Sequence, residues 1–179
     1  ETQSTGRLTL EFEMFENQPV LRYRVRFQNR GPFPAYVRAA DMLPWRFRDE
    51  GLRYTAFYVN QWVKGGSQGN FEPITRSLIP AGPVVRISSG AHGQHCAWLA
   101  LRDTRDRGLF FGWEFDGRAT ILASHSGPDQ DLQFTGQIEE LNRPLRPNEQ
   151  FNVPAAFLGL LHGDWDEAGY RTQRFVEAA

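Results

Sequence analysis

The feature that most constrains this chain is a double alternation near its start. In Arg7–Phe15, Leu8, Leu10, Phe12 and Met14 alternate with Thr9, Glu11 and Glu13. In Val20–Asn29, Leu21, Tyr23, Val25 and Phe27 alternate with Arg22, Arg24 and Arg26. A period of two predicts strands with one face buried. Between them, Glu16-Asn17-Gln18-Pro19 is short enough for a hairpin turn. With Asn17-Gln18 as the loop, Glu13 faces Arg22 and Glu11 faces Arg24. Such cross-strand pairs contribute about 0.2–1 kcal/mol each. The arginine run therefore reads as the solvated face of a hairpin rather than a phosphate-binding stripe.

After the turn-rich Asn29–Pro34, the pattern predicts nine more strands: Ala35–Leu43, Leu52–Val59, Phe71–Leu78, Val84–Ser89, His95–Leu101, Leu109–Phe115, Ala119–Ser124, Asp131–Ile138 and Phe151–Leu161. Gly, Pro, Asn and Asp clusters separate them, with no helical period between, which predicts an all-β antiparallel sandwich or barrel. Two breaks are long enough to be functional loops: Asn60–Asn70, and Ser88–Gln94. The end of the chain changes period. Asp164-Trp165-Asp166-Glu167 has the spacing of a helix capping box. Trp165, Ala168, Thr172, Phe175, Val176 and Ala179 follow at helical intervals. This gives a β domain over residues 1–163 and one short helix over 164–179. No stop signal closes the helix, so the expectation is a polypeptide that continues.

Composition removes several function classes. The net charge is −1 and the cations are arginines apart from Lys64, so no basic excess points to nucleic acid. No run of about 18 apolar residues is present, so nothing predicts a membrane span. The one cysteine, Cys96, excludes an intrachain disulfide and a multi-cysteine metal site. It sits in an apolar run and reads as a buried, inert thiol. The compartment stays open.

No catalytic constellation emerges from spacing. His92 and His95 are three apart, but no third metal ligand is supplied by the pattern. Glu139-Glu140 and Asp129/Asp131 lie in turn regions, and neighbours on a strand point to opposite faces, which is poor geometry for a glycosidase pair. There is no Gly-x-Ser-x-Gly elbow, and Gly65–Gly69 lacks the Lys-Ser/Thr of a phosphate loop. No cofactor is expected. Five tryptophans remain. Trp98 and Trp113 fall inside strand patterns and read as core. Trp62 precedes the glycine-rich loop and is the candidate for an exposed sugar-stacking platform, with Asp41, Asn60 and Gln61 as candidate hydroxyl-binding partners.

Several segments together resemble a known family. Ser88-Ser89-Gly90-Ala91-His92 with the following strand, and Arg107-Gly108-Leu109-Phe110-Phe111-Gly112-Trp113, resemble consecutive strands of microbial α-galactosidases. Leu145–Pro154 is similar to that family's Pro/Glu/Phe strand entry, and Gly163–Arg171 looks like its helix leading into the barrel. The family is glycoside hydrolase family 36, of clan D, and the resemblance covers roughly Gly51 to Ala179. It implies a galactose-mutarotase-like β-supersandwich followed by a (β/α)8 barrel carrying two catalytic aspartates. No catalytic residue carries over to this chain. Family N-terminal domains are usually considerably longer, and the opening half has no counterpart here.

The resemblance implies a non-catalytic accessory domain of an α-galactosidase-like enzyme. Its implied partners are a catalytic barrel in the same polypeptide, a galactoside-type carbohydrate and further copies in a homo-oligomer. Two alternatives stand beside it. One is a stand-alone carbohydrate-binding module using Trp62. The other is an aldose epimerase, for which His92, His125 and His162 are the available acid–base groups.

Overall fold

A computed structural model describes residues 6–42, 44–48, 53–61, 71–90, 94–125 and 131–179. The opening hairpin forms as expected: β1 (Gly6–Met14) pairs with β2 (Val20–Asn29), with Glu13 opposite Arg22 and Glu11 opposite Arg24. The chain continues through β3 (Ala35–Val37), β4 (Arg46–Arg48), β5 (Tyr54–Asn60), β6 (Glu72–Leu78) and β7 (Val85–Ser89). Then follow β8 (Trp98–Asp103), β9 (Arg107–Trp113), β10 (Ala119–His125) and β11 (Asp131–Ile138). The last strands are β12 (Arg143–Leu145), β13 (Gln150–Asn152) and β14 (Ala156–His162), before the single described helix, α1 (Trp165–Ala178).

The strands form an antiparallel sandwich. The large sheet runs β1-β2-β14-β9-β8-β5-β6, with β13 also on β2. The facing sheet runs β4-β11-β10-β7, and β12 pairs with β3 in a small ribbon. Between the two sheets lies one core, in which Tyr23, Leu99, Leu101 and Phe111 of the large sheet meet Ile121 and Phe134 of the smaller one. The Phe111 and Phe134 rings are 4.5 Å apart. A second core lies on the outer face of the large sheet, beneath α1, and contains Val20, Ala100, Phe110, Phe157, Leu161, Ala168 and Phe175.

Where the strands differ from expectation, local chemistry explains it. Of Ala35–Leu43 only Ala35–Val37 forms a strand; Asp41 makes an isolated bridge to Gln137, and Leu43 lies outside the described residues. Phe151–Leu161 divides at Val153-Pro154-Ala155, where proline has no N–H for a ladder bond. Only β13 and β14 remain, both on β2.

The hairpin's apolar face is the main correction. Its alternation predicts burial, yet Leu8, Leu10, Phe12 and Met14 are 62%, 54%, 59% and 79% exposed. Strands lie about 4.8 Å apart, so seven in a row are about twice as wide as four. The four-stranded sheet reaches Tyr23 through Trp45, whose ring meets the Tyr23 ring edge-on at 5.3 Å. Beyond Tyr23, β1 overhangs. The opposite face also differs from a fully solvated one: the Arg22 side chain is only 13% exposed and pairs with Glu13 and Glu114.

Candidate functional site: an aromatic groove beside the terminal helix

The helix starts where the sequence places it. The Asp164 side chain caps it by accepting a bond from the Glu167 amide at 3.0 Å. Gly163 precedes the cap at φ 132°, a conformation that L side chains rarely adopt. This turns the chain from β14 back across the outer face of the large sheet. Arg171 then ties the helix to β14 by donating to the Leu160 carbonyl at 3.0 Å, while its Nε meets Glu167 at 2.6 Å. Phe175 plugs the far end between Phe15 and Phe157, at ring separations of 5.0 and 4.6 Å.

That packing leaves an open groove of about 730 Å³ between α1 and the outer ends of β5 and β8. Phe57, Val59, Cys96, Trp98, Trp165 and Tyr170 supply its apolar surface. The aromatic rings are fixed. Trp165 stacks on Phe57 at 5.1 Å and 12°, and Phe57 meets Trp98 edge-on at 6.0 Å. The Arg102 guanidinium lies 4.5 Å from the Trp165 ring centre, the arrangement of a cation–π contact. The groove therefore offers a rigid aromatic wall with few polar groups.

Gln61 stands next to this wall, against Cys96. The Gln61 side chain donates to the His95 carbonyl at 3.0 Å, and its carbonyl oxygen is 3.7 Å from the Cys96 sulfur. Asn60 bridges to His95, and its side-chain oxygen is buried without a partner among the described residues. Trp62 lies outside the described residues. Asp41 belongs elsewhere: it accepts from the Gly136 amide at 2.7 Å on the smaller sheet. There, burial and then the Asp41 charge push the Tyr23 hydroxyl above its ordinary range. Gln61 therefore touches the groove only through Cys96, Asn60 points to the inner face of β5 with Ala56 and Tyr58, and Asp41 has a separate structural bond.

The remaining candidates are dispersed. Burial pushes the Cys96 thiol up, which suppresses the thiolate. Burial pushes the His95 imidazole down, and its Nδ1 accepts from the Ser88 amide at 3.2 Å. His125 is buried at the end of β10, 6.4 Å from the Tyr54 ring, in the smaller sheet, whereas His162 is exposed at the end of β14 in the large one. His92 and Asp129 lie outside the described residues. Among the described residues no cluster of His, Cys, Asp or Glu could hold a metal ion, and no helix is long and apolar enough to cross a membrane. Sequence reasoning did not find the groove, because its wall comes from β5, β8 and α1, which only the fold brings together. The one signal was the density of aromatics in apolar runs.

The class so defined is an antiparallel β-sandwich with a helix docked on the outer face of its larger sheet. Its particular form is the one found in family 36 α-galactosidases. An α-galactosidase from Lactobacillus brevis superposes with a TM-score of 0.81 at 15% identity, over 97% of this chain and 24% of that one. The family 36 α-galactosidase AgaB from Geobacillus stearothermophilus gives 0.67 at 18% identity, over 88% and 22%. A TPR-domain containing protein from Parabacteroides distasonis gives 0.52 at 10% identity. At these identities the likeness establishes the fold. The chain spans about a quarter of the length of the α-galactosidases it matches. No protein-family model and no curated protein matches the sequence.

Proposed function

We infer that this chain is a non-catalytic accessory domain of an α-galactosidase-like glycoside hydrolase, and that the groove beside α1 is where the catalytic portion packs. The observation that carries the reading is the coverage: nearly all of this chain matches less than a quarter of the Lactobacillus brevis α-galactosidase. The groove supports it. Its wall of half-buried Phe57, Trp98 and Trp165, continued by exposed Tyr170, is an apolar surface of the kind a partner covers. On this reading residues 1–163 form the sandwich, and α1 leads toward a (β/α)8 barrel that carries the chemistry. The test is the reading frame after Ala179 together with the enzyme it encodes. A barrel-length continuation, whose α-galactosidase activity loses thermal stability in Trp165→Ala, is the expected result. A stop codon directly after Ala179 overturns the reading.

A second reading is direct carbohydrate contact at the end of β5. The Gln61 side chain, whose oxygen meets the groove-lining Cys96, favours it, with Asn60 and Trp62 as its neighbours in sequence. Titration with galactose, melibiose or raffinose then changes tryptophan fluorescence saturably. The absence of any saturable change at millimolar sugar argues against it.

A further inference from the structure

Gly169 lies in the interior of α1, four residues after Trp165 and four before Gln173, and all three line the groove. That spacing sets them on one face of the helix. Inside a helix, glycine is less favourable than any residue but proline, because it loses the most backbone freedom on folding and packs nothing. Glycines of the large sheet have a reason within the fold. A Cβ at Gly108 would lie 1.7 Å from the Leu101 carbonyl oxygen, and one at Gly159 would lie 2.0 Å from the Phe110 ring. By contrast, a Cβ at Gly169 would meet nothing within 4 Å. Its φ is not positive either. Among the described residues, neither space nor backbone conformation calls for glycine here.

The notch left by the missing side chain sits in an apolar frame of Trp165, Trp98 and Tyr170. Hydrogen-bonding groups around it are engaged. The Trp98 indole donates to the Thr172 hydroxyl, which donates to the Ala168 carbonyl. The Gln173 amide donates to Glu177, and the Gln61 amide to the His95 carbonyl. A sugar or an ion would find few free partners there, whereas a hydrocarbon side chain would find surface. We propose that the catalytic portion of the same polypeptide inserts a large apolar side chain into the notch at Gly169, between Trp165 and Gln173. This rests on the accessory-domain reading, which supplies the occupant: nearly all of this chain matches 24% of the Lactobacillus brevis α-galactosidase, so most of that chain lies outside the match. With no Cβ at position 169, the inserted side chain reaches the helix backbone and touches residues on both sides of it. Close packing of that kind gains dispersion contacts that a side chain at 169 would displace. The glycine thus costs the isolated domain stability that its contact with the catalytic portion offsets.

Two substitutions in two contexts test it by the sign of their effect. In the chain of residues 1–179, Gly169→Ala and Gly169→Leu should both raise Tm, by about 2–4 °C for the alanine, because a better helix former meets open space. In the enzyme encoded by the full reading frame, Gly169→Leu should instead lower the temperature of half-inactivation by several degrees, since its side chain takes the place of the inserted one. Gly169→Ala should fall between the two. A rise in both contexts overturns the inference. So does a loss in both, which would mean that the fold of this domain itself requires the glycine. Trp165→Ala separates these outcomes from failure of the accessory-domain reading. A full-length enzyme destabilised by Trp165→Ala but not by Gly169→Leu keeps the groove as the packing surface and removes the notch from it. A reading frame that stops directly after Ala179 overturns both.

Discussion

The Trp98 indole N–H donates to the Thr172 hydroxyl at 2.9 Å, and that hydroxyl in turn donates to the Ala168 carbonyl one helical turn earlier at 2.8 Å. A strand in the middle of the large sheet is thereby bonded to the middle of α1. The bond sets how the helix lies on the sheet, and so fixes one wall of the aromatic groove. The other ties are at the ends: Gln18 of the hairpin turn donates to the Arg174 carbonyl at 3.2 Å, and Arg102 donates to the Gly163 carbonyl at 3.3 Å.

Thr172→Val keeps the shape of the side chain and removes the acceptor. The Trp98 N–H is then left against a methyl group in a part-buried site. The expected cost is about 1–3 kcal/mol in urea denaturation, the range for a stranded donor. Thr172→Ser retains the hydroxyl and should stay near wild type. Equal losses in the two variants would show that the methyl, not the bond, matters.

Phe175 is 1% exposed and closes the outer core against Phe15 and Phe157. Phe175→Ala removes a large ring from a packed site and should cost about 3–5 kcal/mol. The inner core does not contain this residue. The variant should therefore lose helix docking first, seen as Trp165 fluorescence shifting to longer wavelength before the β signal is lost in far-ultraviolet circular dichroism.

Asp103 holds the turn between β8 and β9. One carboxylate oxygen accepts from the Arg105 and Arg107 amides at 2.8 and 2.9 Å, and the other from the Arg107 guanidinium at 3.0 Å. Burial pushes this carboxyl up, but those amides and the guanidinium outweigh it and hold it below the ordinary value of 3.8. A carboxyl lowered in the fold adds stability that is fully present above pH 3.8 and is lost as pH falls through its folded value. Asp103→Asn should therefore destabilise the protein near neutrality by about 1–3 kcal/mol. The gap between variant and wild type should close below pH 3.8. A gap that is constant with pH would remove the charge from the explanation.

Legibility in the sequence followed which faces are covered. β1, β2 and the helix cap could be read because each has a clean local pattern, and the hairpin register was recoverable from the charge pairs alone. The strands β8, β9 and β14 appear as continuous apolar runs, such as Ala97-Trp98-Leu99-Ala100-Leu101. They are buried on both faces, Leu99 and Leu101 in the inner core and Ala100 in the outer one. Their existence was legible and the second layer was not. β4 and β12 are three residues long, and their partners are distant in sequence, so no local pattern announces them. Burial of the β1 face could not be judged from alternation either, since a period of two reports which residues share a face and not whether anything covers it.

The fit between the sheet and its helix can be tested at Gly112. This glycine sits opposite Phe157 in the β9–β14 ladder. A Cβ placed there would lie 2.3 Å from the Phe157 ring and 3.1 Å from the Ala97 carbonyl oxygen. The ring passes over the glycine and meets Phe175 under the helix at 4.6 Å. Gly112→Ala must displace it, and overpacking of this kind costs about 1–3 kcal/mol. Phe157→Leu removes the atoms that clash while keeping the site apolar. In that background Gly112→Ala should cost less, since β9 interior positions otherwise favour a side chain over glycine. The double-mutant cycle therefore predicts a combined loss smaller than the sum of the two single losses. Additive losses would mean that the Ala97 carbonyl, not the ring, demands glycine at this position.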